Sequence, residues 1–395
     1  MKKTLLVFAL VLVVLFAASC QKPLKVERLK PEYNRPLPPG QFALRKITNP
    51  EDIPDFTYAC SDLLNLKSSA AKSLNYLSKP SSKQFFPYGD ITHQRTVDSL
   101  KAFTELLNSG LRGSQLNDAI RQKFDVYISV GCDDKGTVLF TGYYTPIFDG
   151  SLTRTERFEH PLYKQPPDLV KGPKGEIIGR RGPGGKIEPY PSRRILETAG
   201  SLMGKELIWL GDPFEVYIAH VQGSAKIRLP DGSLKGVGYT ASNGQEYKSL
   251  SRAMVEQGKI SAEQMSLSAM IEYFKKHPEE VAACTQLNPR FVFFREEKGE
   301  PRGSLNEEVT PYRSIATDKS IFPPGSLAFI STELPYEKDG IVSDRPYSGF
   351  ALDQDTGGAI RAAGRCDVYM GQGDKAGNLA GRTYQEGRLY YLFVK

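Results

Sequence analysis

The stretch DQDTGGAIRAAGRCDVYMG, Asp353 to Gly371, carries the densest chemical signal in the sequence. It sets three acids, Asp353, Asp355 and Asp367, around the pair Gly357-Gly358. Glycines without a Cβ permit positive φ and let another chain or a ligand approach closely. Alternation through Cys366-Asp367-Val368-Tyr369-Met370 predicts a strand with Asp367 and Tyr369 on one face and Val368 on the other. An aspartate between apolar neighbours is either a structural hydrogen-bonding residue or a carboxyl with a raised pKa that can donate a proton. Spacing alone leaves both open. Gly371-x-Gly373-x-x-Ala376 follows and reads as a chance match to a phosphate loop, since Gly, Asn and Arg come after it instead of an amphipathic helix.

Outward from this stretch, Phe291 to Lys395 is strand-rich and Gly-rich. Upstream, Ser249–Cys284 reads as helix, with Met265, Ile271 and Phe274 as core residues. Leu207–Leu210, Phe214–Val221, Lys226–Leu229 and Gly236–Tyr239 read as strands, with Pro230-Asp231-Gly232 as a turn. Gln165–Arg194 holds twelve Gly or Pro and more than twice as many Lys/Arg as acids, which suits a loop, a lid or a basic flap over an acidic ligand. Phe124–Val130 and Thr137–Tyr144 are β-rich and flank Gly131–Gly136, which reads as a hairpin. From about 45 to 130 the pattern is mostly helical. In Thr96–Leu111 the apolar residues Val97, Leu100, Phe103, Leu106, Leu107 and Leu111 form a 3.6-residue stripe, ended by Asn108-Ser109-Gly110. These shifts predict one domain from 45–146 and 285–395, interrupted by an inserted β domain at 147–284. A groove between two such bodies is where ligands commonly sit.

The chain has 395 residues, 40% hydrophobic and 25% charged, which excludes disorder, collagen and coiled coil for most of its length. Thirty-six Gly, 27 Pro, 20 Tyr and 20 Phe favour short strands and tight turns. The net charge of +7 is spread out, which argues against a nucleic-acid binder. Lys2 and Lys3 precede an apolar run from Leu5 to Ala18, too short to span a bilayer as a helix and suited to a secretory signal. Small residues at 17, 18 and 19 before Cys20 resemble a bacterial lipobox, with Ala17 where Leu is usual. Removal of residues 1–19 takes the charge from +7 to +5. Residues 20–44 read as an extended tether with Cys20 lipidated, and Gln21 after it resembles outer-membrane lipoproteins.

Cys60, Cys132, Cys284 and Cys366 form no C-x-x-C, and His93, His160, His220 and His277 do not stand beside them at metal-ligand spacing. A structural zinc site is not expected. Free thiols and two disulfides both stay open, and four cysteines allow three connectivities. No G-x-S-x-G, H-E-x-x-H or P-loop is present.

A series of blocks runs from about Phe140 to Leu392: TGYYTP at 141–146, PLYKQPPDL at 161–169, PSRR at 191–194, IWLGDPFEVYIAHVQGSAKIRL at 208–229, YTASNGQEYKSL at 239–250 and NPRFVFFRE at 288–296. DTGGAI at 355–360, with Asp367-Val368-Tyr369 beyond it, is the most specific. In this order the blocks resemble the membrane-bound lytic murein transglycosylase A family. Ala225 departs from the family's usual Gly. The resemblance implies a mainly β fold with flanking helices, a double-psi β-barrel with an inserted OB-like β domain. It also implies a peptidoglycan exotransglycosylase that cleaves the β-1,4 bond between N-acetylmuramic acid and N-acetylglucosamine without a hydrolytic water.

A glycosidase normally needs two carboxylates. A transglycosylase can use one, because the muramyl C6 hydroxyl serves as the nucleophile and proximity replaces a free water. The resemblance assigns Asp367 as acid and then base, Asp355 as its support, and Tyr144, Thr145, Gln222, Ser224 and Asn243 as sugar-binding residues. A second negative charge at Asp355 would push the Asp367 pKa upward. Asn243-Gly244 is also a strong turn signal. No metal or organic cofactor is required. The implied partners are glycan strands, the periplasmic face of the outer membrane through the lipid anchor, and cell-wall synthesis or division proteins, with no nucleic acid. A hydrolase using Asp355 and Asp367 as a pair, and a non-catalytic murein-binding lipoprotein, are the alternatives.

Overall fold

Strand alternation builds the architecture. A computed structural model describes residues 31–173, 175–261 and 266–395. The run Leu5–Ala18, Cys20, the first part of the expected tether and Met265 lie outside the described residues.

The strands in chain order are β1 (Leu44–Lys46), β2 (Phe124–Ser129), β3 (Val138–Thr145), β4 (Ile147–Ser151), β5 (His160–Tyr163), β6 (Leu169–Lys171), β7 (Ile177–Arg181), β8 (Ile187–Glu188) and β9 (Glu206–Leu210). There follow β10 (Ser224–Arg228), β11 (Leu234–Ser242), β12 (Val292–Glu297), β13 (Ser314–Ala316), β14 (Leu327–Lys338), β15 (Ile341–Asp355), β16 (Arg365–Gln372) and β17 (Tyr384–Val394). β17, β14, β15, β13, β16 and β3 pair in that order, and β3 pairs back onto β17. The result is a closed six-stranded barrel, which leaves no open edge within the ring.

Successive side chains on these strands alternate between two cores. Ala328, Ile330, Ala351, Val368, Tyr391 and Phe393 fill the barrel interior. Their neighbours Phe329, Phe350, Leu352, Tyr390 and Leu392 point outward, under the helices α1 (Leu66–Leu77), α2 (His93–Asn108) and α3 (Gly113–Lys123). The stripe on α2 buries Leu100, Phe103 and Leu107 as its spacing predicts. Burying a side chain of this size is worth roughly 1.5–3 kcal/mol.

A second sheet, ordered β12-β11-β10-β4-β9-β5, is built from residues that intervene between β3 and β13. A bridge from Lys164 to Phe294 links the end of β5 back to β12. Its core holds Phe148, Ile208, Leu210, Phe214, Ile227, Val237 and Phe294. β12 lies beyond 284, because its Val292, Phe293 and Phe294 pair with β11 instead of with the barrel. Around it stand α4 (Arg193–Thr198), α5 (Pro213–Gln222), α6 (Leu250–Glu256), α7 (Leu267–Lys276) and α8 (Val281–Thr285). Within α7, Phe274 is buried and Ile271 packs partly against this core.

Four expectations of secondary structure change. Phe214–Val221 is not a strand but most of α5. The Asp212 side chain caps it by accepting from the Phe214 N–H at 2.7 Å, Pro213 starts it, and Gly223 ends it at φ 77°. β2 and β3 do not form a hairpin with each other; each pairs antiparallel with a different half of β17. Gln165–Arg194 is not one irregular loop, since β6, β7 and β8 make a small antiparallel sheet between its glycines and prolines. Gly371-x-Gly373-x-x-Ala376 does lead into a helix, α9 (Gly373–Arg382), which buries Ala376, Leu379 and Ala380.

The four cysteines are all free and buried. From Tyr33 onward the expected tether is held to the barrel rather than extended from it. Tyr33 donates to Glu386 at 2.8 Å, Arg35 pairs with Asp134, and Ala43 and Leu44 are buried.

Candidate active site

β3 and β16 run parallel, with Thr141 opposite Asp367 and Tyr143 opposite Tyr369. Cys366, Val368 and Met370 turn into the barrel, so Arg365, Asp367 and Tyr369 share the other face with Thr141, Tyr143 and Thr145. Thr141 Oγ1 donates to Asp367 Oδ1, and Arg365 Nη2 donates to Thr141 Oγ1 at 3.2 Å. The Tyr143 and Tyr369 rings lie 5.1 Å apart, and the Tyr369 hydroxyl meets Thr145 Oγ1 at 3.0 Å.

Asp355 reaches the same face through a break in register. Ile315 on β13 lies opposite both Asp353 and Val368, on the interior face. One residue later the β13–β15 register shifts, so that Ala316 lies opposite both Asp355 and Asp367. Without that irregularity Asp355 would follow Asp353 into the barrel. Two strand spacings, roughly 10 Å, then separate the Asp355 and Asp367 backbones. Asp355 Oδ1 accepts from the N–H groups of Ser304 and Thr356, each at 2.8 Å. A Cβ on Gly303 would stand 3.0 Å from the Asp355 carboxyl carbon, so a glycine is needed for the loop to come this close.

Burial raises the pKa of both carboxyls. For Asp367, the Arg365 charge and the Thr141 hydrogen bond pull it partly back. For Asp355, the two backbone N–H groups do most of the opposing. The charge of Asp355 is not among the causes acting on Asp367, contrary to the expectation of mutual repulsion. Its field falls instead on Tyr143 and Tyr369. The Tyr143 hydroxyl is buried and lacks a hydrogen bond of ordinary geometry, yet it stands close enough to Asp355 for that carboxylate to add to burial in raising its pKa. Asp353 points into the barrel, fully buried, against Lys319, Thr317 and Tyr391.

This arrangement can now be set beside known proteins. A family model described as the MltA specific insert domain matches residues 139–295, and one described as the 3D domain matches 313–393. Membrane-bound lytic murein transglycosylase A of Escherichia coli K12 is 32% identical over 68% of this chain and 69% of its own length. The chain belongs to this family. The crystal structure of a membrane-bound lytic murein transglycosylase from Agrobacterium tumefaciens superposes with a TM-score of 0.73 at 26% identity, covering 89% of this chain and 98% of that one. E. coli MltA with bound chitohexaose gives 0.67 at 27% identity, over 92% and 96%.

The five sugar-binding residues implied by the MltA resemblance are not all brought together. Thr145 lies on the Asp367 face, 1% exposed, and its Oγ1 meets Ser224 Oγ on β10 at 3.2 Å. Gln222, at the end of α5, accepts from the Tyr144 N–H at 3.1 Å, so these residues join the barrel to the second sheet. Tyr144 itself turns the opposite way. Its ring is 7% exposed and packs in the barrel core against Gly377 of α9, which leaves no face for a sugar. Asn243 is 2% exposed and structural: its amide donates to Pro191 O and Pro289 O while its Oδ1 accepts from the Phe291 N–H. Ala225, the departure from the MltA pattern, points its methyl into the second core.

Neither Gly357 nor Gly358 has a positive φ. Gly358 serves close approach instead, since a Cβ there would lie 3.1 Å from Arg290 Nε across the junction. Four residues on the site were not singled out from sequence: Thr141, Tyr143, Arg365 and Tyr247. Tyr247 is half-buried beside Tyr217 and lies within the fields of both Arg365 and Asp367. Thr141 and Tyr143 were within reach of the sequence, because on a strand they share a face with Thr145, whereas Tyr144 cannot.

Among the described residues no helix is long and apolar enough to cross a membrane. A hollow of about 380 Å³, with Asp149, Arg157, Asp212, Glu215, Arg228 and Asp374 in its lining, borders the junction near β4. Burial and its acidic neighbours push Glu215 up to about 7. None of the residues that face Asp367 lines this hollow.

Proposed function

We propose that this protein cleaves the β-1,4 bond between N-acetylmuramic acid and N-acetylglucosamine in murein glycan strands, releasing a 1,6-anhydromuramyl end. The observation that carries the reading is the condition of Asp367. It is the acid on this face with one hydrogen-bond donor, no ion pair of its own among the described residues, and a pKa raised by burial. A neutral carboxyl of that kind is available to protonate the leaving O4. The carboxylate left behind then takes the proton of the C6 hydroxyl as that oxygen closes on C1. Atoms balance without water, metal or organic cofactor. Proximity supplies much of the advantage, since a positioned intramolecular hydroxyl replaces a free nucleophile.

Asp355 supports the chemistry from a distance. Both of its N–H donors hold Oδ1, and Tyr143 stands against it, so it orders the cleft wall and is not set to act as a second catalytic carboxylate. The chitohexaose bound to the E. coli relative supports a glycan strand as substrate. Cys20 acylation would tether the enzyme to the periplasmic face of the outer membrane, because two or three acyl chains hold firmly where one binds marginally. Cys20→Ala is expected to move the protein to the soluble fraction, and unchanged membrane fractionation rejects the anchor.

Mass spectrometry of purified murein digested by the protein tests the activity. Anhydro ends, one water lighter than reducing ends, are expected. Reducing ends would identify a hydrolase, and intact murein with retained binding would identify a binding protein.

A further inference from the structure

Thr141 is the side chain that hydrogen-bonds Asp367 among the described residues. Its hydroxyl carries a single proton. Arg365 Nη2 donates to Thr141 Oγ1 at 3.2 Å and so occupies a lone pair, which leaves the Thr141 proton for Asp367 Oδ1. Arg365 forms no ion pair among the described residues, and its Nε is buried without a partner, so its hydrogen-bonded link to the carboxylate runs through Thr141, beside the direct pull of its charge.

We propose that Thr141, oriented by Arg365, is a positioning residue that reserves Oδ1 of Asp367 as an acceptor and leaves Oδ2 to carry the catalytic proton in both half-reactions. This rests on Asp367 being the acid and base. In a neutral carboxyl the carbonyl oxygen accepts hydrogen bonds better than the hydroxyl oxygen does. A donor fixed at Oδ1 therefore places the acid proton on Oδ2. In the first half-reaction the Oδ2–H bond breaks, a proton joins O4, and the C1–O4 bond breaks. In the second, the C6 O–H bond breaks, its proton returns to Oδ2, and the C6 oxygen bonds to C1. The same oxygen gives and receives the proton, so the carboxyl has no need to rotate between steps, and preorganisation of this kind lowers the barrier.

The charged and titratable groups facing Asp367 fix the expected pH response. Arg365 lies on its own strand, Tyr143 on β3, and Tyr247 in the turn before α6. Cys366 points the other way, toward Asp353 and Lys319 in the barrel. Of these, Arg365 and the Thr141 hydrogen bond favour the carboxylate form. Loss of either raises the Asp367 pKa and carries the alkaline limb of the rate profile to higher pH.

The test compares Thr141→Val, Thr141→Ser and Arg365→Gln in the full chain, with pH–rate profiles, murein binding and thermal melts. Thr141→Val is expected to keep murein binding, lose activity by about tenfold or more, as for one charge-assisted hydrogen bond, and shift the alkaline limb upward. Thr141→Ser, which keeps the hydroxyl, is expected to restore both limb and rate to within about threefold. Arg365→Gln is expected to shift the limb the same way through loss of its charge, with a smaller loss of rate, and Thr141→Ala carries the test if Thr141→Val fails to fold. A limb that stays in place in folded Thr141→Val or Arg365→Gln overturns the proposal, as does a folded Thr141→Ser that does not recover. Asp367→Asn separates the two readings. If it stays active, the acid assignment itself fails; if it is inactive while Thr141→Val is normal, only the role of Thr141 fails.

Discussion

Asp353 on β15 and Asp367 on β16 stand either side of β13 in one barrel, and their surroundings differ in kind. Asp353 faces the interior. Lys319 pairs with it directly, the Tyr391 hydroxyl donates at 2.8 Å, and Thr317 Oγ1 lies 2.9–3.0 Å from its two oxygens. Its acceptor sites are occupied, and nothing from outside the barrel can reach it. Asp367 lies on the opposite face with one direct donor, Thr141, which in turn accepts from Arg365, and the Arg365 charge acts on it without an ion pair. Burial raises both carboxyls, but only at Asp353 does a cation in contact oppose it. A buried carboxyl whose bonds are complete holds structure. One left incomplete on a partly exposed face suits the acid proposed above.

The largest effect that follows is on activity. Positioned acid–base catalysis contributes roughly 10²–10⁴-fold, and in the proposed mechanism one residue serves both steps, so Asp367→Asn is expected to lose at least that much. The fold and murein binding should stay intact, by circular dichroism and pull-down. Release of anhydromuropeptides within about tenfold of wild type would break the comparison at its centre. Stability should move the other way. The raised pKa means that the folded state holds the Asp367 proton more tightly than the unfolded chain does. Stability from this group is therefore complete below the ordinary carboxyl range and is lost as pH rises through the folded pKa. Asparagine cannot ionise. Thermal melts should show Asp367→Asn matching wild type in acid and becoming the more stable protein toward alkaline pH.

Asp353→Asn is expected to cost stability and to spare activity. It leaves Lys319, 12% exposed, without its counter-charge, and breaking a buried pair in this way costs about 3–5 kcal/mol. Burial raises this carboxyl too, so the deficit should narrow toward alkaline pH, where the wild-type carboxylate is itself disfavoured. Denaturant unfolding should show the loss, with activity falling only as the folded fraction falls. Adding Lys319→Met should recover part of it, because the orphaned cation is removed. If Asp353→Asn is as stable as wild type while activity collapses, the interior acid has a chemical role that its geometry denies.

Elements written in local pattern were legible in the sequence, and pairings between distant segments were not. The α2 stripe and the alternation at Cys366–Met370 needed only neighbours, and both fold as read. Phe214–Val221 failed because its apolar density suits a buried helix as well as a strand. The Asp212-Pro213 start and the Gly223 stop were the signals that decide between them. The register of β3 on β16 joins residues more than two hundred positions apart, so Thr141 could not be set beside Asp367 from sequence. The shift that turns Asp355 out of the barrel is a property of three strands together and leaves no trace in any one of them.

The smallest expected effect concerns the two tyrosines of TGYYTP, which compare the faces of a single strand. Tyr143 lies on the Asp367 side, its buried hydroxyl close to Asp355. Tyr144 lies on the core side, its ring against Gly377. Removing the same oxygen from each isolates the face as the variable. Tyr143→Phe takes away a group that shares the Asp355 field next to the acid, and murein turnover should fall severalfold with little change in melting temperature. Tyr144→Phe keeps the packed ring and deletes an oxygen on the side of the strand away from the cleft, so activity should stay within about twofold and stability within about 0.5 kcal/mol. A larger loss of turnover in Tyr144→Phe than in Tyr143→Phe would mean that the strand presents its other face to the sugar, and the site would have to be rebuilt around Tyr144.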